Sequence, residues 1–241
     1  MLIDKIYKRN YSLLHNMIKH IAIILDGNRR YADKHGKLPW QGHAAGAKAV
    51  ENLVNWSLEL EFKELTLYCF STENFKRSKI EVRKLMELFV TGFKKLNKND
   101  ILVKKGIKVN FIGKLSMLPK KVQDAAKVLM KKTKNNSKLT INFAIAYGSR
   151  MEIVEAVKNI IKDKLKPSQI TEDKFNDYLY LKTQPDLLIR PGGERRLSNF
   201  ILWQLAYSEL YFLDKFWPEF TKSDLEKAIK EVKSRRRRFG K

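Results

Sequence analysis

Asp26-Gly27-Asn28-Arg29-Arg30 places a carboxylate, a flexible turn, an amide and two guanidinium groups in five consecutive positions. Paired arginines suit phosphate oxygens, because each planar guanidinium offers parallel donors. A glycine turn that opens a helix adds free backbone amides aimed at an anion. A carboxylate beside phosphate is unfavourable unless a cation bridges them, and Mg²⁺ does so with one or two carboxylates plus phosphate oxygens. The same residues also read as an ordinary Asp-Gly turn followed by exposed arginines, and alone they do not decide. Their glycine spacing matches neither a P-loop nor a dinucleotide-binding fingerprint.

Two further segments carry the same kind of chemistry. Ser71-Thr72-Glu73-Asn74-Phe75-Lys76-Arg77 combines hydroxyls, an amide and two cations, suited to a second phosphate or a reacting carbon skeleton. It reads equally as a Ser-Thr helix cap followed by a surface loop. Arg190-Pro191-Gly192-Gly193-Glu194-Arg195-Arg196-Leu197-Ser198 sets three arginines around a Gly-Gly turn, with a serine ahead of an expected helix. Glu209 is a lone acid in an aromatic, apolar stretch and needs a partner if buried. A metal shared with Asp26 and an arginine are both candidates.

The elements that must position these loops follow from hydrophobic spacing. Ile21–Leu25, Leu65–Phe70, Lys108–Ile112, Leu139–Ala146 and Asp186–Arg190 read as buried strands. Between them, helical spacing is predicted over 44–60, over 82–96 (Val82, Leu85, Phe89, Phe93, Leu96), around Lys120–Lys131, over Met151–Lys162 and near Thr171–Tyr180. A helix and a strand are predicted within Ser198–Phe212, and a charged helix over Ser223–Arg236. Alternating strands and helices imply an α/β fold, a mostly parallel central sheet with helices on both faces. Ligands bind such sheets beyond the carboxyl ends of the strands, which is where the three basic loops fall. Together they imply one cleft for two phosphorylated ligands.

The 241 residues suffice for one such domain, with no linker or repeat dividing them. A formal charge of +23 attracts polyanions such as nucleic acid, an anionic membrane or phosphorylated small molecules, although a lysine-rich proteome would produce it too. Cys69 is the only cysteine, which excludes an intrachain disulfide and suits a reducing compartment. No stretch approaches the ~20 apolar residues of a membrane span, and residues 1–18 form a basic segment without a secretory core. A cytoplasmic location, with peripheral contact at a membrane surface, is the expectation.

With the loops in view, the chain closely resembles the cis-prenyltransferases, the undecaprenyl and polyprenyl diphosphate synthases. The matching segments are His20 to Ala32, Gly42-His43-Ala44-Ala45-Gly46, Leu65 to Arg77, Asn142 to Arg150, Asp186 to Phe200 and Trp203 to Phe220. In order and spacing they cover nearly everything after residue 18, so 19–241 is expected to be the catalytic domain. The resemblance implies a single α/β domain with a hydrophobic tunnel, usually working as a homodimer. It implies repeated addition of isopentenyl diphosphate to an allylic prenyl diphosphate starter, farnesyl or geranylgeranyl, with a new cis double bond each time. The product would be a long-chain, undecaprenyl-type diphosphate, precursor of a glycosyl carrier lipid.

Carried over by residue, Asp26 would coordinate Mg²⁺ and assist departure of the allylic diphosphate. Gly27, Asn28, Arg29 and Arg30 would hold that group, with Tyr31 and His43 lining the same site. Ser71, Thr72, Glu73, Phe75 and Arg77 would position the substrates. Asn74 stands at the position of proton removal, where an amide orients better than it accepts a proton. Arg190, Arg196, Leu197 and Ser198 would bind isopentenyl diphosphate, and Glu209 would be the second metal ligand. Arg238 and Gly240 of the basic tail would complete a neighbouring subunit's site, unless the tail is simply solvated or touches anionic lipid.

Pro39 stands where many bacterial members have a phosphate-contacting arginine, Tyr31 and Phe75 where they often have tryptophan, and Arg195 in place of a frequent histidine. Arg29 with Tyr31 points to the archaeal and eukaryotic branch. The Asp-Asp pair of trans-type prenyl synthases is absent from the sequence. A nucleic-acid-binding protein is one rival, without a recognisable motif to support it. A catalytically weak scaffold subunit is another, and such subunits tend to lose the aspartate and arginines retained here.

Overall fold

Five of the six strands contain the short apolar or alternating segments read as strands from sequence, and the computed structural model, described here over residues 18–98 and 100–235, pairs all six in parallel. They are β1 His20–Ile24, β2 Glu64–Ser71, β3 Ile107–Ile112, β4 Leu139–Tyr147, β5 Leu187–Arg190 and β6 Glu209–Phe212, in the spatial order β3-β4-β2-β1-β5-β6. Every residue of β1 and β5 is buried, which is why these strands read as unbroken apolar runs rather than alternating ones. β1 lies at the centre, between β2 and β5, so the Asp26 turn leaves the middle of the carboxyl edge.

The helices are α1 Asn28–Lys34, α2 Pro39–Glu59, α3 Lys79–Lys98, α4 Ile101–Lys104, α5 Lys120–Thr133, α6 Ser149–Lys162, α7 Glu172–Asn176 and α8 Lys222–Ser234. α2 starts five residues before the predicted helix. Pro39 is its first residue, where proline's missing N–H costs nothing. Pro39 is therefore a helix start, and Gln41 Oε1 accepts the Leu38 N–H beside it at 2.8 Å.

A large core, including Ile21, Leu53, Leu67, Phe93, Leu129 and Trp217, fills one side of the sheet; a smaller one around Tyr68, Tyr147, Phe200 and Ile201 fills the other. The helix expected within Ser198–Phe212 is not found. Ser198 (φ 49°), Asn199 (φ 63°) and Ile201 (φ 30°) adopt left-handed backbone conformations, which no right-handed helix tolerates, and the segment is a series of turns before β6. Among the described residues, no helix is long and apolar enough to cross a membrane.

Candidate functional site

A cavity of about 480 Å³ opens at the carboxyl edge, lined by residues that follow β1, β2 and β5 and by the first turns of the adjoining helices. Its size is ordinary for a small-molecule site. Of the residues predicted from sequence, it gathers Asp26, Gly27, Asn28, Arg29, Arg30, His43, Ser71, Asn74, Arg77, Arg190, Arg196 and Ser198. Ile24, Leu25, Tyr68, Cys69 and Phe70 form the inner wall, and Asp33 a second carboxylate, none of them predicted as site residues.

Asp26 is the hub. Its Oδ2 accepts from Arg190 Nη2 at 2.8 Å, and its Oδ1 from the Gly27 N–H at 2.7 Å and Arg30 Nη2 at 3.3 Å. Gly27 is needed at the turn: its φ is 97°, and a Cβ there would lie 2.9 Å from Phe216. Arg190 is 3% exposed at the end of β5. It also donates through Nη1 to Ser198 Oγ at 2.8 Å and to the Arg196 carbonyl, so one guanidinium fastens the first basic loop to the third. Arg30 reaches Glu194 at 3.5 Å, and Arg196 pairs with Glu194 at 2.5 Å.

The helix after this turn is seated by two glycines of α2. A Cβ on Gly42 would stand 2.0 Å from the Asn28 carbonyl oxygen, and one on Gly46 2.2 Å from Asn28 Oδ1. Asn28 Nδ2 donates to the Leu25 carbonyl at 3.0 Å, while its buried Oδ1 has no hydrogen-bond donor among the described residues. Trp217 Nε1 closes the packing by donating to the Gly46 carbonyl at 2.9 Å.

In the second loop, Ser71 Oγ accepts the Asn74 N–H at 3.2 Å and Asn74 Oδ1 accepts the Ser71 N–H at 3.0 Å. This reciprocal cap opens a short 3₁₀ helix, Thr72–Lys76. The cap reading of Ser71 and its position on the cavity are thus both true. The Asn74 oxygen is committed to backbone, consistent with an orienting amide rather than a base. Glu81, not predicted, is 5% exposed and gathers Arg77 at 3.0 Å, His43 Nε2 at 3.3 Å and Arg29 at 3.9 Å. Its i+4 spacing from Arg77 was the signal in the sequence. Burial, and next the Arg77 cation, hold the His43 pKa below its usual range, so its ring is neutral near pH 7.

Besides Glu209, five predicted residues do not line the cavity. Tyr31 packs tilted against His35 (4.3 Å, 37° between planes), Phe75 packs edge-on against Phe70 (4.9 Å), and Leu197 packs on the smaller core. Thr72 donates to Glu73 Oε2 at 3.1 Å, and Glu73 Oε1 accepts from Asn199.

The expected sharing of one ion by Asp26 and Glu209 within a chain is not what the fold allows. Glu209 opens β6 in register with Leu187, and thus with Ile21, at the amino edge. Three strand residues and two strand widths separate that level from even Ile24, roughly 10 Å in each direction. Arg235 Nη1 donates to Glu209 at 3.1 Å, which is the arginine alternative. Arg238 and Gly240 lie outside the described residues.

Among the described residues no cluster of three or more His, Cys, Asp or Glu side chains can cage a metal. Asp26, with Asp33 the other carboxylate on this arginine-lined cavity, still fits a hard cation that draws most of its ligands from phosphate and water.

Residues 24–240 match the prenyltransferase family model described as undecaprenyl diphosphate synthase. A tritrans,polycis-undecaprenyl-diphosphate synthase (geranylgeranyl-diphosphate specific) of Thermococcus kodakarensis is 48% identical over 231 residues, 93% of this chain and 88% of the relative. An isoprenyl transferase of Clostridium perfringens is 48% identical over 230 residues, 93% and 90% of the two chains. The crystal structure of lavandulyl diphosphate synthase from Lavandula x intermedia, in complex with dimethylallyl diphosphate, superposes with a TM-score of 0.89 at 35% identity, covering 94% of this chain and 99% of that one.

Proposed function

Because this chain belongs to the undecaprenyl diphosphate synthase family of cis-prenyltransferases, we propose that it extends an allylic diphosphate with successive isopentenyl diphosphate units to a long-chain cis-polyprenyl diphosphate, the precursor of a glycosyl carrier lipid. The observation that carries this reading is the Arg190 bridge, which joins an Asp26–Arg30 loop and an Arg196–Ser198 loop around one cavity with an apolar inner wall. Two anion-binding loops held at fixed separation suit two diphosphates whose carbon ends must meet. Geranylgeranyl diphosphate is the favoured starter, by likeness to the Thermococcus enzyme and by the Arg29–Tyr31 pair.

In each cycle the allylic C1–O bond breaks and its electron pair leaves with diphosphate. C4 of isopentenyl diphosphate bonds to C1, and the proton on C2 passes to the released diphosphate as the C2–C3 double bond forms. Arg29, Arg30 and the Asn28 end of α1 hold the allylic diphosphate and stabilise charge where it develops. Arg190, Arg196 and Ser198 hold the isopentenyl diphosphate, while Ser71 and Asn74 orient the reacting carbons. Asp26 would hold a Mg²⁺ ion, which would further neutralise the charge on the leaving diphosphate. Ile24, Leu25, Cys69 and Phe70 keep water from the cationic carbon, and the growing tail runs past them toward Phe89 and Phe93.

A homodimer suits α6, whose Val154, Val157 and Ile161 are 52, 44 and 68% exposed along one face. The large positive charge suits a cytoplasmic enzyme that rests against an anionic membrane to deliver its lipid. The test is incubation with radiolabelled isopentenyl diphosphate, Mg²⁺ and a panel of allylic starters, with chain length read by chromatography. Extension should be abolished by Asp26→Ala in a protein that keeps its circular dichroism spectrum. No extension from any starter refutes the function; retained activity in the variant removes Asp26 from the site.

A further inference from the structure

Three of the four residues from Ser198 to Ile201 hold left-handed backbone conformations without being glycine. Such strain persists only where the surroundings over-determine it, and it collects at functional sites. Phe200 and Ile201 are fully buried, Phe200 stacking on Tyr68 at 4.4 Å, which anchors one side of the turn. Asn199 anchors the other, and it does so without lining the cavity.

The polar groups of Asn199 reach two neighbouring elements. Its Nδ2 donates to Glu73 Oε1 at 2.9 Å, in the loop after β2. Its Oδ1 accepts the Arg150 N–H at 2.9 Å and its carbonyl the Ser149 N–H at 2.8 Å, satisfying two free amides at the start of α6, after β4. Contact is so close that a Cβ on Gly148 would fall 2.8 Å from Asn199 Nδ2 and 2.7 Å from Thr72 Oγ1. The residue before it, Ser198, receives the Arg190 bond. One side chain thus ties the loops after β2, β4 and β5 together.

We infer that Asn199 is the positioning residue of the diphosphate subsite formed by Arg190, Arg196 and Ser198, and that its bond to Glu73 sets this subsite's distance from the Ser71–Asn74 loop. The inference rests on the proposed function for its substrate, isopentenyl diphosphate, but not for its geometry. Asparagine is apt because it tolerates the left-handed conformation and offers a donor and an acceptor at once. Asn199→Asp keeps the conformation and the α6 acceptor yet sets a carboxylate against Glu73.

The test is steady-state kinetics with a donor–acceptor swap. Asn199→Asp should raise KM for isopentenyl diphosphate about tenfold or more, with KM for the allylic substrate little changed. In Asn199→Asp/Glu73→Gln the amide and carboxylate exchange places, and KM should return to that of Glu73→Gln alone. A purely structural role would instead lower the melting temperature and leave both KM values in place. That result, or a double variant worse than either single one, overturns the inference. Calorimetric binding of inorganic diphosphate to wild type and Asn199→Asp is the second readout. Unweakened binding in the variant also overturns it, whereas weakened binding without prenyl transfer in the wild type would sink only the proposed function.

Discussion

Two glycine-to-alanine substitutions in helices should have opposite signs. In α2, a Cβ on Gly42 would lie 2.0 Å from the Asn28 carbonyl oxygen, where ordinary contact begins near 3.4 Å. The shortfall of about 1.4 Å falls on backbone, which cannot rotate away, so α1 or α2 must shift. Overpacking of this kind costs about 1–3 kcal/mol, against a gain of about 1 kcal/mol from alanine's helix propensity. The net expectation for Gly42→Ala is a loss of up to about 2 kcal/mol. Activity should fall further, since a misplacement of about 1 Å can cost about 10²-fold and Asn28 carries the loop between Asp26 and Arg30. In α3, a Cβ on Gly92 meets nothing within 4 Å, so Gly92→Ala should stabilise by about 0.5–1 kcal/mol. Urea unfolding midpoints at one protein concentration, with kcat/KM on the same preparations, measure both. A neutral, fully active Gly42→Ala would refute the argument that α2 seats the diphosphate loop by close approach, and a destabilised Gly92→Ala would refute the open space assigned to that position of α3.

Phe70, Phe89, Phe93, Phe111 and Phe143 touch in series beyond the cavity wall, so Phe89→Ala should lengthen the products seen by thin-layer chromatography; an unchanged ladder would place the tail elsewhere. Burial depresses the pKa of His20 and of His43 below the 6.5 they have unfolded. Their neutral forms therefore add stability that is full above pH 6.5 and declines as pH falls toward the folded values, by at most about 1.4 kcal/mol per pH unit each. Urea midpoints at pH 7.5 and 5.5 should show a smaller drop for His20→Gln than for wild type, and equal drops would contradict this assignment.

The sheet was legible because β1, β2, β4 and β5 are mostly buried and so spell predominantly apolar runs. Locating phosphate chemistry at strand ends then followed from the parallel topology. What stayed hidden were facts of direction and distance. The helix predicted over 44–60 begins at Pro39, because apolar spacing is silent on a first turn that proline itself can open. The apolar stretch after Ser198 has helical composition, but left-handed backbone at Ser198, Asn199 and Ile201 overrides it. Glu209 is as acidic as Asp26 in one dimension; the register of β6 sends it to the opposite edge. Glu81 was passed over because a buried carboxylate shared by two arginines and a neutral histidine looks, in sequence, like any acid in a charged helix.

Five arginines, Arg29, Arg30, Arg77, Arg190 and Arg196, surround the mouth that Asp26 alone shares with Asp33. A concave surface with this surplus of one sign concentrates field lines and draws anions in from several ångströms, raising encounter rates by about 10–10³-fold. The reach of that field is set by the ions around it, about 10 Å at 0.1 M salt and about 3 Å at 1 M. On the proposed function, capture of the diphosphates should respond to the ionic strength of the medium, while the bond-making step, shielded behind Ile24 and Phe70, should not.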